Sequence, residues 1–329
     1  MIYDQVTQGI QNNLQEYATL NECLSTSQKI NKPSDDVSGL SQAMDYNVSI
    51  SANNQYSRNI SEASSQLGNV NTVLSTVSST LQQVQQDAVS AANGVLDSTT
   101  QPALAQDTAQ LRDQLLSLGN TQIDGQYIFS GRWTNQNAFD TTTYAYQGDT
   151  GNTNVQIDSN TVLPENIPGS TAFSYTLSAP ETVQLSGGQY VQYTPGAGTT
   201  VNVEILDTDD TTVLDTFSFS NIIQMTDTLS SAISDGDTLR IQALVQPFQS
   251  AVQQVTNVQA DVGALMSRLN NQTTLLTNTN ENLSNSLSNV MNDDTAQIST
   301  ELTQSETVLT ALRESASQVL SNSLLDFLK

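Results

Sequence analysis

The chain has 329 residues, enough for about two domains and a buried core. Only 13% of them are charged, yet Asp and Glu outnumber Lys and Arg by 33 to 9; the resulting net charge of −24 argues against nucleic-acid phosphates and anionic membranes as partners. There is no histidine and a single cysteine, Cys23, which excludes Ser-His-Asp and Cys-His catalysis, the HExxH zinc site and any intramolecular disulfide.

Met1 to Ile10 has neither the basic start nor the apolar stretch of a cleaved secretory signal, and no apolar run reaches bilayer length. The expectation is a protein that stays in the cytoplasm or is exported without cleavage. Ile10, Leu14, Tyr17, Leu20 and Leu24 then recur at helical spacing and predict a helix from about 5 to 28, ending before Pro33. Ser34, Asp35 and Asp36 precede a new apolar period as a cap and first-turn acids, so Asn31 to Asp36 is a structured corner between two helices.

From Val37 the period is expected to run through Leu40, Met44, Val48 and Ile50 into a long seam. Ile60, Ala63, Leu67, Val70, Leu74, Val77, Leu81, Val84, Ala88, Ala91 and Val95 alternate three and four residues apart, with Ser, Asn, Gln and Thr between them. This is the 3.5-residue period of a coiled coil. Gly94 and the cluster ending at Pro102 close it, and a third helix is predicted from about Pro102 to Gln122.

Asp124 to Trp133 then alternates and turns like a hairpin. Strands are expected at Thr153 to Ile157, Tyr190 to Tyr193, Val201 to Leu206 and Val213 to Phe219. Helical spacing returns near Ile222. Val245, Phe248, Val252, Val255, Gln259, Val262, Met266, Leu269, Thr273, Leu276, Asn280, Leu283, Leu287 and Val290 form a second seam, whose polar members would fix its register. A lone copy of the first seam would suggest a dimer; the second seam supplies a partner within the chain.

The last predicted helix, Glu301 to Lys329, carries Leu302, Leu309, Leu312, Val319 and Leu320, then Leu324, Leu325, Phe327 and Leu328. So many large apolar residues near a chain end call for a covering partner.

The fold class expected is mainly α with an inserted β domain. N- and C-terminal segments form a long antiparallel coiled-coil rod, with a β-rich outer domain in between. Terminal arms are placed at 1–45 and 291–329, the rod with its hairpin at 46–139 and 221–290, and the outer domain at 140–220.

Chemistry-bearing constellations are weak. Asp207-Thr-Asp-Asp210 begins like a calcium loop, but Thr211 and Thr212 stand where ligands and a glycine should follow, so it is a strand-connecting turn. Asp235-Gly-Asp237 is a turn or helix cap. Cys23 lies beside an apolar stripe without a close basic neighbour, as a buried inert thiol does. No catalytic, metal or cofactor site is expected.

Leu24-Ser-Thr-Ser-Gln-Lys-Ile-Asn-Lys-Pro-Ser-Asp-Asp36 with Gly39-Leu40 resembles the N-terminal signature of the bacterial flagellin family, carried here by Ile30, Asn31, Pro33, Asp35 and Asp36. Val258 to Leu269, with Gly263 and Arg268, is similar to the family's C-terminal element, and Ser323 to Leu328 to its C-terminal end. Asp124-Gly-Gln-Tyr-Ile-Phe-Ser-Gly131, Phe139 and Tyr146-Gln-Gly-Asp149 resemble the family branch found at the hook-filament junction. Ser27 departs from the family's usual glycine, and Met1-Ile-Tyr-Asp from its usual opening.

The resemblance implies a non-enzymatic structural adaptor joining hook to filament, extracellular and exported through the flagellar type III channel with an uncleaved signal. It further implies terminal arms that are disordered in the monomer and become an inner tube on assembly. Ile10, Leu14, Tyr17 and Leu20 would there pack with Leu309, Leu312, Val319 and Leu320. Implied partners are the neighbouring junction protein, flagellin, further copies in a ring, and an export chaperone over the C-terminal helix. Rival readings are a bulk filament subunit and a surface module binding carbohydrate or host protein.

Overall fold

Apolar spacing and capping set the elements of the computed structural model, which describes residues 2–94, 97 and 99–327, with side chains for 4–94, 97 and 99–318. The helices are α1 (Ile2–Thr26), α2 (Val37–Asn93), α3 (Thr100–Gly119), α4 (Gly169–Ala172), α5 (Ile222–Asp235), α6 (Thr238–Met291) and α7 (Thr295–Phe327). The strands are β1 (Gln122–Ile123), β2 (Gln126–Tyr127), β3 (Asn154–Asp158), β4 (Thr161–Pro164), β5 (Glu181–Gln184), β6 (Tyr190–Pro195), β7 (Val201–Leu206) and β8 (Val213–Phe219). The chain divides into one unit of Met1–Gln55 with Thr274–Lys329 and a second of Tyr56–Thr273.

In the second unit the α2 seam is the core. Ile60 through Ala91 at the spacing above are each at most 2% exposed, while Val95 lies outside the described residues. The partner helix buries Phe248, Val255, Val262 and Leu269 as its spacing predicts, but Val245, Val252 and Met266 are only half-buried. Leu244, Ala251 and Val258 are buried as well, so α6 presents a wider apolar face than a two-helix seam requires. α3 and α5 pack against each other, and the buried Ser230 hydroxyl of α5 donates to the Ala105 carbonyl of α3 at 2.9 Å.

Pro247 stands inside α6 and has no N–H to give the carbonyl four residues back, that of Ala243. The Tyr193 hydroxyl from β6 donates to that carbonyl at 2.6 Å, in the interior of the unit. Burial pushes the Tyr193 hydroxyl above its ordinary range, which keeps it a donor. Tyr193→Phe is therefore expected to cost about 1–3 kcal/mol by orphaning a buried carbonyl. Chemical denaturation of the full chain reads this directly.

The helical pattern that returns near Ile222 is cut in two at Gly236, within the Asp235-Gly-Asp237 turn or cap expected from the sequence. Gly236 takes a left-handed φ of 70° that caps α5, and Asp237 Oδ1 then accepts from the Arg240 N–H at 3.0 Å to begin α6. Four antiparallel strands form a sheet in the order β5-β6-β7-β8, with Tyr193 opposite Val203 and Val203 opposite Phe217. Val201, Val203 and Ile205 face the core as their alternation predicts. β1-β2 and β3-β4 are separate hairpins. Phe129 and Phe139 each meet Phe173 at 5.1 Å between ring centroids, an aromatic cluster under the first hairpin.

One group works against the α2 and α3 packing. Asp87 keeps one carboxylate oxygen, Oδ2, buried without a hydrogen-bond partner. Burial and the like charge of Asp107 push its carboxyl up to about 6, with the Thr108 hydroxyl pulling the other way. A folded-state value above the unfolded one means a stabilising contribution that is complete below the ordinary value of 3.8 and is lost as pH rises through about 6. Asp87→Asn is expected to stabilise the protein by on the order of 1–2 kcal/mol above pH 7, after allowance for the solvent reaching the group. The gain should vanish near pH 4, and thermal melts across that pH range test it.

Candidate assembly interface

The first unit is held by helices from opposite ends of the sequence. α1 and α7 pack antiparallel: Gln28 bridges Asn292, the Lys29 N–H donates to the Met291 carbonyl at 2.7 Å, and Gly9 at the other end sits against Leu312. α2 and α6 are tied in this unit by amides. Asn53 Nδ2 donates to Asn280 Oδ1, and Asn280 Nδ2 to Asn54 Oδ1, each at 3.0 Å. The polar seam position at Asn280 is thus satisfied, and the match specifies register.

The corner between α1 and α2 is built by the signature residues. Asp35 Oδ2 accepts from the backbone N–H groups of Asn31 (3.0 Å) and Lys32 (2.8 Å), which lowers its carboxyl below the ordinary range. Asp36 Oδ1 accepts from the Gly39 N–H at 2.9 Å and caps α2. Asn31 Nδ2 donates to the Gln28 carbonyl at 3.0 Å. Ile30 is buried over Gly39, where a Cβ would approach both Ile30 and the Asp36 carboxylate at 2.6 Å. Pro33 is exposed in the turn. Gly263 and Arg268 belong to the other unit, both exposed on α6, and are not part of this corner.

Of the apolar residues expected to form the arms, Leu309 is buried, while Ile10, Tyr17, Leu20, Leu24, Leu302 and Leu312 are half-buried. Leu14 is 41% exposed. Val319, Leu320, Leu324, Leu325 and Phe327 lie outside the described side chains, and Leu328 outside the described residues. The buried positions of the pair also include Asn13, Cys23, Ile298 and Ser305, which the stripe of large residues did not single out. Asn13 falls three residues after Ile10 and four before Tyr17, so helical spacing did carry that signal. Burial and the nearby carboxylates of Asp293, Asp35 and Glu22 push the Cys23 thiol up, in keeping with an inert residue.

Val37, Met44 and Val48 do not continue the core period. They are exposed along one face of α2, Val37 by 72%, because Gly39 and Ala43 occupy the inward face instead. Small residues there let the chain approach closely. Leu275 and Val308 are exposed in the same unit, which therefore carries six of the protein's exposed large apolar side chains in about a third of its length.

Among the described residues, no group of three His, Cys, Asp or Glu could hold a metal, and no helix is long and apolar enough to cross a membrane. The Asp207 to Asp210 loop is a turn in which Asp209 Oδ1 accepts from the N–H groups of Thr211 and Thr212.

The bacterial flagellin N-terminal helical region matches residues 1–134, and the bacterial flagellin C-terminal helical region matches residues 245–328. Flagellar hook-associated protein 3 of Salmonella typhimurium is 36% identical over 160 residues, covering 48% of this chain and 50% of that protein. The chain thus spans about half the length of the curated relatives it matches. In fold it is similar to the FlgL crystal structure from Xanthomonas campestris (TM-score 0.56, 18% identity, 74% of this chain and 99% of that one). It is also similar to the flagellar junction protein FlgL of Legionella pneumophila (TM-score 0.53, 16% identity, 78% and 100%).

Proposed function

We propose, from the premise that this chain belongs to the bacterial flagellin family, that it is a structural adaptor of the flagellum, seated between hook and filament and without enzymatic activity. The observation that carries the reading is the first unit. Helices from both chain ends meet there, and Leu14, Val37, Met44, Val48, Leu275 and Val308 are left exposed for covering by neighbours. Val37, Met44 and Val48, seven and four residues apart, share one face of α2, and an exposed apolar stripe of this kind marks an interaction surface.

Those neighbours are further copies in a ring, the adjoining junction protein and flagellin. An export chaperone covers the C-terminal helix beforehand, and delivery is by the flagellar type III route to the outside of the cell. Ile10, Leu14, Tyr17, Leu20 and Leu312 meet these neighbours, while Leu309 packs inside the helix pair; Val319, Leu320, Leu324, Leu325, Phe327 and Leu328, outside the described side chains, are assigned to the same assembly surface from the sequence alone. The signature residues Ile30, Asn31, Pro33, Asp35 and Asp36 hold the corner from which that surface is displayed.

The rival in the same family is a bulk filament subunit. Seeding the purified chain onto filament fragments separates the two. An adaptor adds a short layer and stops, whereas growth of long filaments from this chain alone would refute the adaptor role.

A further inference from the structure

We propose that the α1 and α7 pair docks side by side on the same pair of a second copy, head to tail, with Leu14 of one copy against Val308 of the next. This contact rests on the adaptor reading and names the surface by which the adaptor meets its own copies.

Both residues flank the seam of the pair. On α1 the seam runs through Ile10, Asn13, Tyr17 and Leu20, and on α7 through Leu302, Ser305, Leu309 and Leu312, all buried or half-buried. Leu14 is 41% exposed and Val308 43%. Viewed from the start of α1, residues advance clockwise along α1 and, because α7 runs the other way, counter-clockwise along α7. At 3.6 residues per turn, Leu14 stands about a quarter-turn clockwise of the α1 seam, and Val308 about a quarter-turn clockwise of the α7 seam. The two seams point at each other, so equal rotations carry the two side chains to opposite faces of the pair.

They also stand at one height. The Lys29 bond to Met291 and the contact of Gly9 with Leu312 fix the register, which sets Leu14 level with Glu306 or Thr307. Val308 is one or two residues further along, ~3 Å at the helical rise. Copies placed side by side with the same polarity therefore bring Leu14 of one level with Val308 of the next. A twofold contact would use the same patch on both partners, whereas different patches on opposite faces make a head-to-tail contact, which generates a ring where the rotation closes.

The surroundings of the two residues suit an encounter between like copies. Thr7, Leu14 and Asn21 are exposed a heptad apart on α1, and so are Glu301, Val308 and Ser315 on α7. In a chain of net charge −24, Glu301 is the one charged member of these two stripes, and the stripe it would meet is uncharged. Copies can approach along these faces without the repulsion that a strongly acidic surface otherwise imposes.

The test uses a Cys23→Ala background, which removes the sole native thiol. Flagella from cells making the chain with Leu14→Cys and Val308→Cys together are treated with a short bismaleimide. The expected result is a ladder of dimers, trimers and longer species. Leu14→Cys or Val308→Cys alone should give monomer, and the two single variants made together should give dimer. Dimers from either single variant by itself would make the contact twofold and overturn the proposal. So would the absence of a ladder from flagella that contain the chain, an outcome that leaves the adaptor reading standing. The concentrated purified chain, with circular dichroism matching that of its parent, is treated in the same way. A ladder there, with the chain missing from the flagellum, would sink the adaptor reading and uphold the contact, whereas no ladder in either setting overturns the contact.

Discussion

A chain ending at Asn322 is expected to fold and stay in solution, while bacteria that make it in place of the full chain should swim no better than bacteria lacking it. The removed residues include Leu324, Leu325, Phe327 and Leu328. Covering each such side chain contributes about 1.5–3 kcal/mol, so four of them exceed by several-fold what any single surface ion pair supplies. The buried side chains of the described residues come mostly from the α2 seam, α5, α6, the sheet and the aromatic cluster, and on α7 from Ile298, Ser305 and Leu309, so the fold is expected to form without the tail. Circular dichroism and thermal unfolding should therefore match the intact chain while motility is lost. Normal swimming by the truncated chain would remove the tail from the assembly surface.

Leu74→Ala should lower stability by about 2–5 kcal/mol. Leu74 is fully buried in the middle of the α2 seam, flanked by Val70 and Val77, which are equally buried. A close-packed seam has little freedom to close the cavity, so the cost should sit in the upper half of that range. Denaturant midpoints with an unchanged slope would locate the effect in stability. The exposed Met44→Ala, one of the residues whose spacing alone assigns it to the same core period, should change stability by under about 0.5 kcal/mol. That contrast separates packing from periodicity.

The difference between Leu74 and Met44 also marks how far the sequence was legible. A three-four alternation over ten turns identified the α2 seam, since nothing else keeps apolar residues in phase for so long. At the start of α2 the same alternation misled. Core contact there is made by Gly39 and Ala43, and a pattern of large residues does not reveal a face packed through small ones. β5 was invisible because Glu181-Thr-Val-Gln184 is mostly exposed and polar, held by pairing with β6 rather than by burial. Pro247 was the available signal for the Tyr193 hydroxyl bond, but which donor fills a carbonyl vacated by proline is decided by tertiary packing.

Asp35 and Asp36 were legible with Ser34 as a capped turn from their chemistry, whereas Ile30 was named only through the family resemblance; the hydrogen bonds to Asn31, Lys32 and Gly39 give that turn its form. At the α1 and α7 pair the apolar stripe identified a helix face but missed Asn13 and Ser305. Both are buried with an unpartnered oxygen, and a reading built on large apolar residues passes over such positions.

The central claim is tested most directly by where the protein stands in the flagellum. Gold-labelled antibody against the segment 140–220, applied to flagella sheared from the native host, should decorate one narrow band at the boundary between hook and filament. Label along the length of the filament, or none on the flagellum, would contradict the adaptor role.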